Sequence, residues 1–251
     1  MVNVIKSDIY KTIKSTYFWV LSIIMLILYI LSSCINLHFV NKAFIQAGIC
    51  TNSFFLYLSS IPNSTYLFVC LFIMISTGLE FSSGSIKNIA SKGYPREFLY
   101  FSKLICALLA LVFYMLICAV GFLVCTQIMI GNKIPDFYLM LPDFASLSFL
   151  YTLQAIAYIS IALMLAFLLR SSGISISIFC IFISMASILG SVIEFIIRRI
   201  QGIEFSIEPY LLSSCTLSSS EHLVRTIIVL LVYTLIPLII GIYTFKKRDI
   251  K

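Results

Sequence analysis

Residues 104–130 read LICALLALVFYMLICAVGFLVCTQIMI, a stretch without Asp, Glu, Lys, Arg or His. The hydrocarbon core of a bilayer is about 30 Å thick, and a helix crosses it with roughly 20 apolar residues. At 1.5 Å per residue, about 27 helical residues reach ~40 Å, which spans this core with a tilt or a projecting end. The stretch therefore predicts a transmembrane helix.

Five further uncharged windows have the same character. Together the six windows cover residues 17–35, 62–79, 104–130, 145–169, 171–193 and 226–245. Hydrophobic residues make up 61% of the 251 residues and charged residues only 11%, whereas soluble domains usually carry about a quarter charged residues. The sequence predicts an all-α polytopic membrane protein with six transmembrane helices, folded as a single domain over residues 1–251.

The basic residues predict the orientation, because Lys and Arg next to spans tend to stay in the cytoplasm. With the amino terminus inside, most of the 17 basic residues lie on the cytoplasmic side, and the outer ones are Lys42, Lys133, Arg198, Arg199 and Arg225. We therefore expect both termini in the cytoplasm. The net charge of +7 borders the spans, which indicates contact with anionic lipid headgroups and not with nucleic acid.

The first 16 residues have the pattern of an amphipathic helix. Apolar side chains recur every three or four residues, while lysines occupy other faces, and the apolar positions are Val2, Ile5, Ile9, Ile13 and Tyr17. This pattern predicts an elbow helix at residues 1–16 that lies along the inner membrane surface. A frayed basic tail is the alternative.

The segment between the second and third windows, residues 80–103, reads EFSSGSIKNIASKGYPREFLYFSK. Ser82 or Ser83 can cap a short helix, and Gly93 and Pro95 interrupt it before Phe98 resumes an apolar face. We expect a cytoplasmic helical hairpin at residues 81–102.

Glu80 marks the point where the second span reaches the surface, because an acid at mid-membrane costs roughly 2.5–3.5 kcal/mol. Its expected partners are the amides around residues Ser82 to Ser85 or a nearby cation such as Lys87. A boundary glutamate without a special role is the alternative.

This loop resembles the inner loop of type-2 ABC exporter permeases, which show an acid, a stretch similar to Gly-Thr-Ile-Lys-Asn, a turn with a basic residue and a lysine that opens the third span. Ser85 replaces the usual threonine, and Pro95 stands where serine is common. The carboxyl end FKKRDI at residues 245–250 resembles the basic tail of many bacterial members. The matching loop residues are Glu80, Gly84, Ser85, Ile86, Lys87, Asn88, Arg96 and Lys103.

The resemblance covers the whole chain and implies a permease half in the bacterial cell membrane. This half would form a homodimer or heterodimer and rest on a separate cytoplasmic ATPase subunit. ATP and magnesium belong to that partner, because this chain has no Gly-x-x-x-x-Gly-Lys-Ser/Thr loop to hold nucleotide phosphates. No cofactor and no enzymatic activity are expected in this chain. The residues expected to couple to the ATPase are Glu80, Gly84, Lys87, Asn88, Arg96 and Lys103 from the resemblance, and Phe98 as an apolar contact. Phospholipid headgroups are the alternative partners of Lys87 and Arg96.

Two further segments carry structural hypotheses. Residues 194–225 alternate charge with apolar stretches such as PYLL at 209–212, which is typical of either a re-entrant segment or a surface loop. In the fifth window, Ser184, Ser187 and Gly190 offer small side chains that allow close helix approach. They form a candidate subunit interface, with packing inside one chain as the alternative.

The eight cysteines include no Cys-x-x-Cys pair, and those inside the windows, Cys125 among them, are expected to pack as small apolar residues. Cys50 and Cys215 lie in outer loops, where a disulfide between them stays an open alternative. His38 and His222 lack ligand-spaced partners, so no metal site is expected.

The spans contain no charged group that identifies a substrate. The resemblance suggests export of amphipathic peptides, including toxins or antimicrobial peptides, with antibiotic, lipid or polysaccharide export as alternatives. A membrane scaffold or sensor is a further alternative. An intramembrane enzyme lacks converging catalytic groups.

Overall fold

The computed structural model describes residues 2–47, 59–86, 95–130, 141–201, 210–213 and 223–247, and these ranges contain helices and no strands. Six of the helices are long and apolar enough to cross a membrane, which confirms the predicted all-α polytopic fold with six spans. The helices are α1 (Val2–Lys14), α2 (Thr16–Ala47), α3 (Ile61–Ser82), α4 (Arg96–Ile130), α5 (Leu141–Leu169), α6 (Ser172–Gln201) and α7 (Leu223–Lys247).

Several helices extend beyond the uncharged windows of the sequence. Helix α2 continues to Ala47, beyond residue 35 where the first window ends, and α6 continues to Gln201, beyond residue 193 where the fifth window ends. Helix α4 begins at Arg96, so the second half of the predicted hairpin is continuous with the third span. An uncharged window marks the part of a helix that is stable in lipid, so it ends at the first charged or polar residues. The helix itself is held by backbone hydrogen bonds, which can continue beyond the lipid into water.

Helix α5 occupies the centre of the bundle. Its most extensive contacts are with α3 and α7, and it also contacts α4 and α6. Within its most apolar stretch, 61% of the residues are buried by the rest of the chain, whereas the corresponding value for α6 is 12%. Small residues on α5 allow this crowding, because they let neighbouring helix backbones approach closely. Helix α6 therefore presents most of its apolar surface outward.

Helices α2 and α4 form a parallel pair at one side of the bundle. The Tyr114 hydroxyl donates a hydrogen bond to the Phe18 carbonyl at 3.0 Å, and the two rings are stacked with centroids 5.2 Å apart. Phe18 also makes an edge contact with Phe72 of α3 at 5.3 Å. These contacts join the first three spans near the start of α2.

Helix α3 lies very close to the turn between α5 and α6. That turn consists of Arg170, with a φ of 53°, and Ser171, in agreement with the one-residue gap between the uncharged windows 145–169 and 171–193. A β-carbon at Gly78 would lie 2.6 Å from the backbone nitrogen of Ser172. Only glycine leaves room for this approach, so the α5–α6 turn is held against α3.

Candidate functional site

The elbow helix α1 is separate from α2, and polar contacts define the break between them. The Ser15 hydroxyl accepts a hydrogen bond from the Phe18 amide at 3.3 Å, which caps the start of α2. The Trp19 indole donates to the Ile13 carbonyl at 2.8 Å and so ties the end of α1 to the first turn of α2. Helix α1 then packs against α4.

Four charged side chains meet where α1, α3 and α4 come together, and we call Asp8, Lys11, Glu80 and Lys103 the charged cluster. The Lys103 ammonium donates to Glu80 Oε1 at 2.6 Å and lies 3.3 Å from Asp8 Oδ1. Lys11 is more distant, at 3.9 Å from Asp8 and 3.8 Å from Glu80. Lys103 therefore links two carboxylates from two other helices.

The members of the charged cluster differ in burial. The side chain of Asp8 is 2% exposed and that of Lys103 is 9% exposed, whereas Lys11 is 44% exposed. Charges this deeply buried are stable only when they are paired, and removal of one partner typically costs about 3–5 kcal/mol. The pair of Lys103 and Asp8 thus fixes the elbow helix on α4.

Asp8 is the site residue that the sequence analysis missed. Besides Lys103, it accepts a hydrogen bond from the Ser102 hydroxyl at 2.7 Å. A usable signal was present in the sequence, because Asp8 is the only acidic residue among the first 16, which also contain Lys6, Lys11 and Lys14. A single acid on a basic amphipathic helix indicates a specific partner.

Glu80 lies at the end of α3 as expected, and its carboxylate contacts a cation, one of the two kinds of partner expected, which is Lys103 of α4. Its Oε1 atom binds Lys103, and its carbonyl accepts hydrogen bonds from the Ser83 and Ser85 hydroxyls at 3.4 and 3.3 Å. Its Oε2 atom is buried and has no hydrogen-bond partner among the residues that the structure describes. Residue 87 itself lies outside the described residues.

A cavity of about 170 Å³ lies beside the charged cluster, between α1, α3 and α4. Such a cavity has room for water, which can solvate groups such as Glu80 Oε2. The cavity is lined by Asp8, Lys11, Thr12, Ser15, Tyr17, Phe72, Ile73, Ser76, Leu79, Glu80, Lys103 and Cys106.

The start of α4 also contacts the end of α7. Arg96 donates to the Lys246 carbonyl at 3.1 Å, and the Lys246 ammonium donates to Glu97 Oε1 at 2.8 Å. The Lys246 and Glu97 side chains are 69% and 46% exposed, so water and salt screen this ion pair strongly. Phe245, one residue before Lys246, packs its ring edge to face on that of Phe167, with ring centroids 4.8 Å apart.

The structure places the predicted coupling residues at one end of the bundle, as far as it describes them. Glu80 and Lys103 are in direct contact, and Arg96 and the half-buried Phe98 lie in the first turn of α4. Gly84 follows α3 with a φ of 69°, a left-handed conformation that favours glycine. Residues 87 and 88 lie outside the described residues. Contact of this end with an ATPase stays a prediction.

The three residues of the candidate subunit interface on α6 have different environments. Ser184 is exposed, and its hydroxyl donates to the Cys180 carbonyl at 2.8 Å. Gly190 is buried, and a β-carbon there would meet the side chain of Leu211 from the same chain. The side chain of Ser187 is outside the described part of α6. Gly190 thus packs within the chain, and a subunit contact through Ser184 stays a prediction.

Part of the outer segment is packed against the spans. The Gln154 amide donates to the Leu212 carbonyl at 2.6 Å, and Leu212 is 3% exposed. Gln154 lies nine residues after Ala145, the start of the fourth candidate span, which corresponds to ~13 Å along the helix. Residues 210–213 therefore reach the level of the spans.

Within the described ranges, no group of three His, Cys, Asp or Glu side chains is placed to hold a metal ion. Three residues named from the sequence lie outside these ranges, namely the candidate disulfide partners at positions 50 and 215 and the histidine at position 222. The structure describes the backbone of His38 but not its side chain.

Fold and site together define a multi-pass α-helical membrane protein whose elbow helix is ionically attached to the spans. Residues 2–250 match the family model described as ABC-2 family transporter protein, and the chain belongs to this family. It is thus a membrane permease subunit of an ABC transporter, a transport subunit of a kind that is generally not catalytic itself. The family implies an ABC ATPase partner. No curated protein matches the chain.

Proposed function

We propose that this chain is the permease half of an ATP-driven exporter that moves amphipathic peptides out of the cell or the membrane. The observation that carries the permease role is the family match over residues 2–250. Export, the peptide substrate, the cell membrane as location and the dimeric assembly are the proposed extensions of that role.

The charged cluster supports a mechanical link between the predicted hairpin and the spans. The hairpin connects α3 to α4, and the 2.6 Å contact between Glu80 and Lys103 joins these helices directly beside it. A push on the hairpin by an ATPase therefore displaces the ends of α3 and α4 together, and Asp8 carries α1 with them. Such displacement can favour one of two packed arrangements of the helices.

The character of the spans supports an amphipathic substrate. Charged residues are concentrated at the span ends, and the interior side chains are apolar, hydroxyl-bearing or aromatic, with Tyr66 and Tyr158 stacked 4.3 Å apart. An amphipathic peptide can enter such a pathway sideways from the bilayer, because its apolar face is never exposed to water.

The outward surface of α6 supports assembly with a second permease chain, either identical or related. Only 12% of its most apolar stretch is buried within the chain. We expect the purified complex to contain two permease chains and two ATPase subunits, which native mass spectrometry can count. A complex with one permease chain contradicts the dimeric assembly.

Reconstitution tests whether this chain forms the transport pathway while a separate ATPase subunit hydrolyses ATP. In proteoliposomes, the chain alone should not hydrolyse ATP, because it lacks a phosphate-binding loop. Addition of its ATPase subunit should give ATP hydrolysis and ATP-dependent accumulation of a labelled amphipathic peptide in inside-out vesicles. Binding of the ATPase without any transported solute would support the scaffold alternative.

The substrate class is tested with the same complex. Cationic amphipathic peptides should stimulate ATP hydrolysis, and scrambled peptides of equal composition without an apolar face are the matched control. Stimulation by an antibiotic, a lipid or a polysaccharide precursor, with no response to peptides, contradicts the peptide assignment and leaves the permease role intact.

A further inference from the structure

Two cysteine side chains face each other between α2 and α4. The sulfur atoms of Cys34 and Cys125 are 4.0 Å apart, and both cysteines are free thiols. A disulfide has a sulfur–sulfur distance of about 2.05 Å, so the atoms must approach by roughly 2 Å, which small rotations of the two side chains can provide. The sequence predicts that Cys125 packs as a small apolar residue, and no sequence pattern pairs it with Cys34.

The two helices are in contact next to the cysteines. One turn before the cysteines, a β-carbon at Gly121 would lie 3.7 Å from the Ile30 side chain. Because α2 and α4 run in the same direction, a step of four residues leads from Ile30 to Cys34 and from Gly121 to Cys125. Helices α2 and α4 are therefore direct neighbours one turn before the cysteines, as a disulfide between them requires.

Both cysteines lie at the end of the bundle opposite the charged cluster. Cys34 precedes Ile35, the last residue of the first candidate span, and Cys125 is one turn before the end of the third. On α4, Cys125 follows Lys103 by 22 residues, or ~33 Å along the helix. The distribution of Lys and Arg predicts that this end faces outward, where disulfides form and persist.

From this geometry we propose that Cys34 and Cys125 form a disulfide that joins α2 to α4 at the outer end of the bundle. The oxidant is a disulfide-bearing compound or protein on the outer side. The half-buried Cys34, as thiolate, attacks this disulfide and displaces one thiol, and Cys125, as thiolate, then attacks the Cys34 sulfur and displaces the second thiol. Two protein thiols become one disulfide, and their two protons pass to the released thiols.

The consequence of this bond is mechanical. Helix α2 is connected to the elbow helix, and α4 carries Lys103 of the charged cluster. A covalent link at their outer ends prevents separation of the two helices there, while the start of α2 stays joined to the middle of α4 through Phe18 and Tyr114. The inference does not depend on the substrate or on ATP coupling.

Mass spectrometry of the full chain in its native membrane tests the disulfide. After treatment with oxidised glutathione and alkylation of the remaining thiols, we expect a peptide pair linked through Cys34 and Cys125 that dithiothreitol separates. The variants Cys34→Ala and Cys125→Ala should lose this pair. Cys118→Ala is the matched control, because Cys118 is buried two turns before Cys125 on the same helix, and it should retain the pair.

Three results would overturn the proposal. In the first, both thiols of the wild-type chain are still free after oxidation and are fully alkylated. In the second, Cys34 keeps a glutathione adduct and forms no disulfide with Cys125. Alternatively, Cys34 can link to another cysteine or to a second chain, which a non-reducing gel reveals as a dimer. The wild-type chain alone distinguishes these results, so the test does not depend on the folding of the variants.

Discussion

Lys103 is the residue on which the charged cluster depends. The variant Lys103→Met removes the cation that lies 2.6 Å from Glu80 and 3.3 Å from Asp8 and leaves both carboxylates without it. We expect a loss of about 3–5 kcal/mol in stability, because a buried charge that loses its partner is strongly unfavourable. Thermal denaturation of the purified chain in detergent, followed by size-exclusion chromatography, measures this loss.

Lys11 offers a matched control for Lys103 within the same cluster. Its ammonium is 3.8 Å from Glu80 and its side chain is 44% exposed, so Lys11→Met should change stability by no more than about 1 kcal/mol. Addition of Glu80→Gln to Lys103→Met should recover part of the loss, since it removes one unpaired charge. Equal stability of the two lysine variants contradicts the role assigned to Lys103.

At the scale of elements, the approach of α3 to the α5–α6 turn depends on Gly78. The β-carbon of Gly78→Ala would lie 2.6 Å from the Ser172 nitrogen and 2.8 Å from its α-carbon. These are backbone atoms that cannot rotate away, so α3 must move, and overpacking of this kind typically costs about 1–3 kcal/mol. Gly173→Ala is the control in the thermal assay, because its β-carbon would meet nothing within 4 Å apart from its chain neighbours and the backbone of its own helix.

The packing of the outer segment on α5 depends on Gln154. In Gln154→Leu the buried Leu212 carbonyl loses the donor at 2.6 Å, which typically costs about 1–3 kcal/mol. We expect faster hydrogen exchange in the peptide that contains residues 210–213 and unchanged exchange in α3. Gln127→Leu makes the same chemical change at an exposed position of α4 and should leave both peptides unchanged. Unchanged exchange in Gln154→Leu would show that Gln154 does not hold this segment.

At the scale of the whole molecule, we predict which end of the helix bundle faces the cytoplasm. The contact between Arg96 and Lys246 places the start of α4 and the end of α7 at the same end of the bundle, and the basic residues predict that this end is cytoplasmic. A cysteine introduced by Asn88→Cys should react with an impermeant maleimide in inside-out vesicles only. Lys133→Cys should react in right-side-out vesicles, with labelling of the wild-type chain subtracted. The reverse pattern contradicts the predicted topology.

The candidate site was predictable in part. Glu80 and Lys103 were predicted as site residues, because both belong to the loop pattern that resembles the family. The pattern did not identify their direct contact or the participation of Asp8. These three positions are far apart in sequence, and they meet only because α1 folds back onto α4. Likewise, the outer segment was recognised as unusual, but its attachment to Gln154 was not foreseen.

The sequence by itself determined six membrane-crossing helices, because partition into a bilayer depends only on the length and composition of each local segment. Tertiary structure alone decided that α5 is central and α6 peripheral, and it brought Cys34 to Cys125 and Leu212 to Gln154. The physical reason is that lipid is as apolar as the interior of the bundle. Helices that are apolar on all sides carry no periodic signal for the face that meets a neighbour, so shape complementarity and a few polar contacts make that choice.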